Sequence, residues 1–312
     1  MHYRSSSMFG RDSEVLVLDR ALHEARAGRG SAVFLTGEGG IGKSRLAAAT
    51  SDLGFGAGMA ILRGRGSAVG PMVPFRSLTE ALMSLLRSGE PLDVESLGPY
   101  RPVLARLVPD WGPPPPGQEG ASLVVVAEAF LRLTALAARG RGCLVVLDDL
   151  QDADAETLAV VEYVVDNLAH QPTVLLGTAR TGGAGESHAG ELIRAAVQRG
   201  AATGVELRRL TTGEVHELID SCLQSPGALP DGLAERLATD SGGVPLLVEE
   251  LLRGLISGGQ LVHRGERWQL AGTARPQVPL TLARSVAGQL AGRRQVAAQL
   301  GEGQGVAGRL GE

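Results

Sequence analysis

The sequence predicts an α/β fold in which a parallel sheet has helices on both faces and is followed by a small helical lid. The first indication is that short apolar runs alternate with segments whose apolar residues recur at helical spacing. The second is that these runs are apolar throughout, as in strands that are buried on both faces of a parallel sheet. Ligands bind at the carboxyl ends of such strands, so the residues that follow each run are candidates for function.

The elements alternate in a regular order along the chain. Helices are predicted at 15–26, 44–50, 75–87, 123–139 and 155–168, and strands at 32–36, 59–63, 143–147, 173–178 and 205–210. The segment 92–118 is predicted as a loop that interrupts the core, because it contains a run of prolines at 113–116. A Gly-rich linker is predicted at 181–190. Thr211 and Glu214 form a capping box that opens the helical lid, which runs to about residue 258.

A glycine-rich loop joins the first strand to the second helix. It satisfies the pattern G-x-x-x-x-G-K-[ST] in full, as Gly37-Glu38-Gly39-Gly40-Ile41-Gly42-Lys43-Ser44. Lys43 is the only lysine among thirty basic side chains, and a compact ammonium suits the β- and γ-phosphates of a nucleotide. Backbone N–H groups of such a loop cradle the phosphates, and the Ser44 hydroxyl contacts Mg²⁺. The loop therefore predicts that the chain binds a nucleoside triphosphate.

Two acids directly follow the predicted strand at 143–147. Asp148 is the candidate for holding hydrated Mg²⁺ opposite Ser44, and Asp149 is the candidate for polarising the attacking water. Asp154 lies where the next helix needs an N-cap. The last core strand closes with two candidates for sensing the γ-phosphate, Thr178 and Arg180.

Composition and charge argue against several other classes of protein. The net charge is −4, with arginine and acid interspersed, so DNA binding by this chain alone is not expected. No apolar run reaches eighteen residues and the start lacks a signal-peptide pattern, so we expect neither a membrane span nor secretion. Cys143 and Cys222 have no metal-binding or redox spacing and are predicted to be buried thiols in a reducing cytoplasm.

With these residues in place, the chain resembles the nucleotide-binding region of the LuxR-type large ATP-binding regulators. These belong to the signal-transducing (STAND) ATPases related to AAA+ proteins and MalT. The resemblance covers about residues 8–287 and is carried by the segments 9–11, 36–46, 147–154, 177–180 and 241–251.

The resemblance implies ATP as the nucleotide and Mg²⁺ as its metal. A guanine-specifying Asn-Lys-x-Asp motif is absent from the sequence, which favours ATP. The nucleotide-binding residues that it implies are Gly10 and Arg11 near the base, the loop residues 37–44, Arg45, and the lid residues Gly243, Val244 and Pro245. It also implies that Arg180 acts as a first sensor. One departure is Asp152, which stands where relatives usually have a bulky aromatic residue or histidine.

Three parts are predicted along the chain. They are a P-loop ATPase core at 1–185, the last core strand with the helical lid at 186–275, and the remnant of a winged-helix start with a disordered tail at 276–312. From Gly288 onward the sequence has seven glycines in twenty-five residues, too few apolar groups to offset the entropy of ordering. Full-length relatives continue to a C-terminal helix-turn-helix, so we interpret the chain as the N-terminal part of such a regulator.

The functional hypothesis is slow Mg²⁺-dependent ATP hydrolysis that serves as the switch of a transcriptional regulator. Its partners would be ATP, an unidentified inducer or regulatory protein and a second copy of the chain. One alternative is a nucleotide-binding module without turnover. Another is the same module placed ahead of an adenylate cyclase or kinase domain. Asp149 distinguishes the hydrolysis hypothesis from the first alternative, because a hydrolase needs the second carboxylate and a binding module does not.

Overall fold

A computed structural model of the chain describes residues 8–68, 73–89, 91–108, 111–112, 122–181, 187–224, 229–264 and 267–271. The helices are α1 (Asp12–Arg26), α2 (Lys43–Gly56), α3 (Arg76–Arg87), α4 (Arg101–Leu104), α5 (Leu123–Ala138), α6 (Ala155–Asp166), α7 (His188–Gln198), α8 (Thr212–Leu223), α9 (Leu233–Ser241) and α10 (Pro245–Ser257). The strands are β1 (Ser31–Gly37), β2 (Ala60–Arg65), β3 (Cys143–Asp148), β4 (Thr173–Arg180), β5 (Ala202–Glu206), β6 (Leu261–Arg264) and β7 (Arg267–Leu270).

Strands β1 to β5 form one parallel sheet in the order β2-β3-β4-β1-β5. Adjacent residues of β1, which lies between β4 and β5, pack into different apolar clusters. Phe34 belongs to the apolar cluster that includes α3, α5, α6 and α7, whereas Leu35 belongs to the one that includes α1 and α2. The predicted α/β fold with helices on both faces is therefore confirmed.

Strand β2 lies at one edge of the sheet, and helix α3 covers that edge. The backbone N–H of Arg63 donates to Ser84 Oγ at 2.8 Å, and that of Arg65 donates to Glu80 Oε2 at 3.1 Å. Between them, a Cβ on Gly64 would lie 1.8 Å from the carbonyl oxygen of Ser77. Only glycine allows this approach, and the covered edge cannot template pairing with another strand.

The prediction that segment 92–118 lies outside the core is wrong for the part that the structure describes. Val94–Tyr100 forms a 3-10 helix, and α4 follows it. Five of its apolar side chains are buried in the cluster that includes α5, namely Leu97, Val103, Leu104, Leu107 and Val108. Prolines within the segment break both helical and strand periodicity, so its apolar residues carried no recognisable pattern. The run 113–116 lies outside the described residues.

Two boundaries near the end of the core also differ from prediction. Helix α7 begins inside the predicted linker 181–190, with the Ser187 side chain accepting a hydrogen bond from the Gly190 N–H. Strand β5 ends at Glu206 rather than at Leu210. The reason is that Leu210 packs in the core of the lid, where its N–H donates to the Gly243 carbonyl at 2.8 Å.

Helices α8, α9 and α10 share a third apolar cluster. The predicted capping box is confirmed, because Thr211 and Glu214 exchange side-chain and backbone hydrogen bonds at the start of α8. The antiparallel hairpin β6-β7 was not predicted, and it packs Leu261 and Trp268 on the same cluster. The predicted winged-helix remnant and disordered tail at 276–312 lie outside the described residues.

Candidate functional site

The glycine-rich loop leaves β1 and ends in the first turn of α2. Gly40 and Gly42 have φ angles of 80° and 108°, in the left-handed region that glycine adopts without a steric penalty. Lys43 is the first residue of α2, so the N-terminus of this helix directly adjoins the loop. This is an anion-binding arrangement by itself.

Lys43 lies folded against its own loop. Its Nζ donates to the carbonyl oxygens of Gly37 at 2.8 Å and Glu38 at 2.9 Å, and only 6% of the residue is exposed. Burial, followed by the positive charge of Arg180, lowers the pKa of Lys43, while Asp149 and Asp148 oppose that shift. The ammonium is thus weakly solvated and held by neutral carbonyls, which an anionic ligand can replace.

Asp148 is surrounded by hydroxyl groups from two other elements. Ser44 Oγ, on α2, donates to Asp148 Oδ1 at 3.0 Å, and Thr178 Oγ1, on β4, donates to the same oxygen. The backbone N–H of Asp149 donates to Thr178 Oγ1 at 3.0 Å, so one fully buried threonine joins the two acids. A hydroxyl beside a carboxylate is a hard oxygen set of the kind that Mg²⁺ prefers, with phosphate oxygens supplying further ligands.

Asp149 has charged and amide partners instead. Arg65 Nε and Nη2 donate to Asp149 Oδ2 at 3.0 and 2.6 Å, Gln151 Nε2 donates to Oδ1 at 3.0 Å, and Arg180 Nε lies 3.8 Å from Oδ1. Burial by itself raises the pKa of Asp149, but the hydrogen bonds from Gln151 and Arg65 and the charges of both arginines hold it below its usual value. This carboxylate is therefore an ionised group whose charge is largely balanced.

The lid contacts the loop and the start of α2. Leu246 N–H, one residue after Pro245 at the start of α10, donates to the Gly40 carbonyl at 3.2 Å. Arg45 Nη1 lies 2.9 Å from Glu249 Oε1. These contacts place the N-terminus of α10 directly beside the phosphate loop.

Arg11 is a buried side chain that is hydrogen-bonded to the loop. Its Nη2 donates to the carbonyl oxygens of Ile41 at 3.1 Å and Arg208 at 2.6 Å, and the residue is 2% exposed. Burial, then the charge of Arg208, lowers the pKa of Arg11, against the influence of Glu14. Arg11 thus ties the loop to the chain that leads from β5 into the lid.

Residues 7–176 match the family model described as "AAA ATPase domain". The chain belongs to this family. Among solved structures, ORC2 of Aeropyrum pernix is similar with a TM-score of 0.51 and 15% identity, over 82% of this chain and 64% of that chain. The chain thus spans less than two thirds of the length of that protein, and at this identity the likeness shows the fold alone.

Two further solved structures match this AAA ATPase domain with lower TM-scores. RuvB of Thermotoga maritima has a TM-score of 0.48 and 18% identity, over 86% of this chain and 69% of that chain. A Signal Transduction ATPase with Numerous Domains from Pyrococcus horikoshii, with a tetratricopeptide repeat sensor, has a TM-score of 0.41 and 17% identity, over 75% of this chain and 29% of that chain. No curated protein matches the chain.

The AAA ATPase domain brings together residues that its sequence had separated. Lys43, Ser44, Asp148 and Thr178 meet at the carboxyl ends of β1, β3 and β4, beside a cavity of about 230 Å³ that Ser44 and Asp148 help to line. The Asp154 cap is confirmed, since its carboxylate accepts from Thr157 N–H at 2.8 Å.

Arg65 and Gln151 were missed by the sequence analysis. Arg65 pairs in register with Asp148 across β2 and β3. The two strands were predicted from the sequence, but their pairing in the sheet was not. That pairing is what places Arg65 beside the two acids.

The described residues yield two further observations. None of their helices is both long and apolar enough to span a membrane. Cys143 and Cys222 are buried as predicted, and burial raises the pKa of the Cys143 thiol to about 12.

Proposed function

We propose that the chain binds Mg·ATP at the phosphate loop and hydrolyses it slowly. The observation that carries this proposal is that the last two residues of the glycine-rich loop, Lys43 and Ser44, lie at the carboxyl end of β3. There, Ser44 Oγ donates a hydrogen bond to Asp148. In this arrangement Lys43 leaves the Gly37 and Glu38 carbonyls and pairs with the phosphates, whose charge also lies at the N-terminus of α2. The lone lysine of the sequence is therefore the main cationic contact of the triphosphate.

Ser44 and Asp148 are the residues that would hold Mg²⁺, since they supply adjacent hydroxyl and carboxylate oxygens. The ion would neutralise charge on the phosphate oxygens and orient them. Thr178 keeps the Asp148 carboxylate turned toward Ser44, and Arg11 holds the loop carbonyl of Ile41 in place.

Asp149 is the proposed group that orients and polarises the attacking water. Its carboxylate is ionised, as a proton acceptor must be. Arg65 and Arg180 balance much of its charge, which weakens its pull on a proton. We therefore expect turnover to be slow, which suits a switch whose bound nucleotide must persist.

The proposed biological role is the nucleotide switch of a LuxR-type signal-transducing transcriptional regulator in the cytoplasm. Its support is the motif resemblance together with the contacts between lid and loop. Leu246 and Glu249 contact the phosphate-binding elements directly, so a change at the phosphates would reach the lid. We propose the division into core (1–185), lid (186–275) and C-terminal remnant (276–312) on the same basis, with an inducer and a second copy as partners.

A nucleotide-binding module without turnover is the second candidate. Arg65 donates two hydrogen bonds to Asp149 Oδ2 and Gln151 donates one to Oδ1. These contacts favour this candidate, because a carboxylate whose two oxygens are both engaged is poorly placed to orient water. The two candidates differ in whether Arg65 releases Asp149 when Mg·ATP is bound.

Phosphate release and Mg·ATP binding, measured side by side, test the proposal. Wild-type protein is expected to bind Mg·ATP and to release phosphate above background. A Lys43→Ala preparation, purified identically, controls for contaminating ATPases. Binding without lysine-dependent turnover would support the module instead, and absence of binding would overturn both.

A further inference from the structure

The side chain of Gln151 joins three groups at the carboxyl ends of β3 and β4. It lies in the short 3-10 turn Leu150–Asp152, two residues after Asp149. Its Nε2 donates to Asp149 Oδ1 at 3.0 Å and to Asp152 Oδ2 at 2.8 Å. Its Oε1 accepts the backbone N–H of Arg180 at 3.0 Å. Both ends of one amide are therefore in use.

Chemistry fixes the orientation of this amide. Ionised carboxylates only accept hydrogen bonds and a backbone N–H only donates. Exchanging the nitrogen and oxygen of Gln151 would therefore lose all three bonds at once. The side chain can act as a rigid bridge between the Asp149 carboxylate and the backbone of Arg180.

We propose that Gln151 is a positioning residue for ATP hydrolysis. It holds the Asp149 carboxylate at a fixed position relative to the end of β4. This inference rests on the proposed function, because it assigns Gln151 a role in the same reaction. Gln151 acts through Asp149 and Arg180 and need not touch the nucleotide itself.

Arg65, which also donates hydrogen bonds to the Asp149 carboxylate, is less suited to this task. Arg65 holds Oδ2, but 65% of its side chain is exposed, so ordering this long side chain carries an entropic cost. Gln151 is held in a turn that adjoins the acid. When Arg65 leaves, Gln151 still restrains the carboxylate through Oδ1.

The backbone of Asp149 also needs support. Its φ of 55° lies in the left-handed region, which is unfavourable for a residue with a Cβ and persists only where the surroundings enforce it. The hydrogen bond from its N–H to Thr178 Oγ1 ties its backbone to β4. Gln151 ties the side chain of Asp149 to the same strand, so Asp149 is linked to β4 twice.

Two substitutions separate the two ends of the amide. Gln151→Met keeps the length and removes all three hydrogen bonds. Gln151→Glu keeps an oxygen that can accept from Arg180 N–H but places a negative charge beside Asp149 and Asp152. Gln198→Glu, at the exposed end of α7, makes the same chemical change away from the site and serves as the control.

Three measurements are made on each variant: kcat and KM for ATP hydrolysis, the Kd for Mg·ATP, and hydrogen exchange of the Arg180 amide by NMR. Both Gln151 variants are expected to lose kcat by roughly tenfold or more, as a misplaced catalytic group does, with Kd and KM within about twofold of wild type. Arg180 exchange should accelerate in Gln151→Met and stay slow in Gln151→Glu. In an Asp149→Asn background, Gln151→Met should cause little further loss, because both changes act on one group.

Wild-type kcat in both Gln151 variants would overturn the inference, as would full additivity with Asp149→Asn. Loss of kcat in Gln151→Met alone would mean that only the end of β4 matters, which also contradicts it. If wild-type protein shows no turnover, the proposed hydrolysis fails. Unchanged Arg180 exchange in Gln151→Met would then overturn the bridge separately, whereas accelerated exchange would support the bridge without the reaction.

Discussion

The two adjacent acids of this site lie in opposite electrostatic surroundings. Asp148 is bonded to the neutral hydroxyls of Ser44 and Thr178, so its charge remains available to a cation. Asp149 faces Arg65 and Arg180, which balance its charge before any ligand binds. The difference supports the proposal that Asp148 binds Mg²⁺ and that Asp149 is held in place by its charged partners.

Asp149→Asn tests the restrained side and should have the largest effect. The change keeps the size of the side chain and removes the proton acceptor, so turnover should fall by about 100-fold or more while the Kd for Mg·ATP stays within about twofold. Steady-state phosphate release and equilibrium binding measure the two quantities. Asp52→Asn, at an exposed position of α2, makes the same chemical change away from the two acids; it is the control and should retain turnover.

Asp148→Asn tests the metal side. Loss of the carboxylate should weaken Mg²⁺-dependent ATP binding by about 10- to 100-fold, and binding in EDTA should change little. A nucleotide titration with and without Mg²⁺ separates the two. If Asp148→Asn and Asp149→Asn gave the same pattern, the two acids would not have different tasks.

The residues around Asp148 were predictable from the sequence, whereas those around Asp149 were predictable only in part. Lys43 and Ser44 lie within one contiguous motif, and Asp148 follows an apolar run, so local pattern was sufficient. Arg65 is more than eighty residues from Asp149 in the chain, and its role depends on β2 lying beside β3. Leu97 and Leu104 were missed for a related reason, because their burial depends on α5 covering them rather than on any periodicity of their own.

Thr178 links the two sides and gives an intermediate test. Thr178→Val has the same shape without the hydroxyl and leaves the Asp149 N–H without its acceptor. We expect a loss of roughly tenfold in turnover with a smaller loss in Mg²⁺-dependent affinity. Thr178→Ser keeps the hydroxyl and should restore most of both. Equal losses in Val and Ser variants would point to packing rather than to the bridge.

Arg65→Gln should have the smallest effect, and in the opposite direction. The Arg65 side chain is largely exposed, so its pairing with Asp149 contributes at most about 1 kcal/mol. Its removal should raise turnover by up to about fivefold, because Asp149 regains its pull on water. Arg63→Gln on the same strand is the matched control. A fall in turnover would show that Arg65 assists the reaction instead of restraining the acid.

Chemical labelling of Lys43 tests the central claim most directly. Lys43 is the only side-chain amine in the sequence, so an acyl-phosphate derivative of ATP can acylate it and the N-terminus alone, the latter serving as an internal reference. Excess Mg·ATP should block acylation of Lys43 but not of the N-terminus. At about 100 times the Kd, it should also stabilise the fold by roughly 2.7 kcal/mol. Equal acylation of Lys43 with and without Mg·ATP, together with an unchanged Tm, would contradict nucleotide binding at this loop.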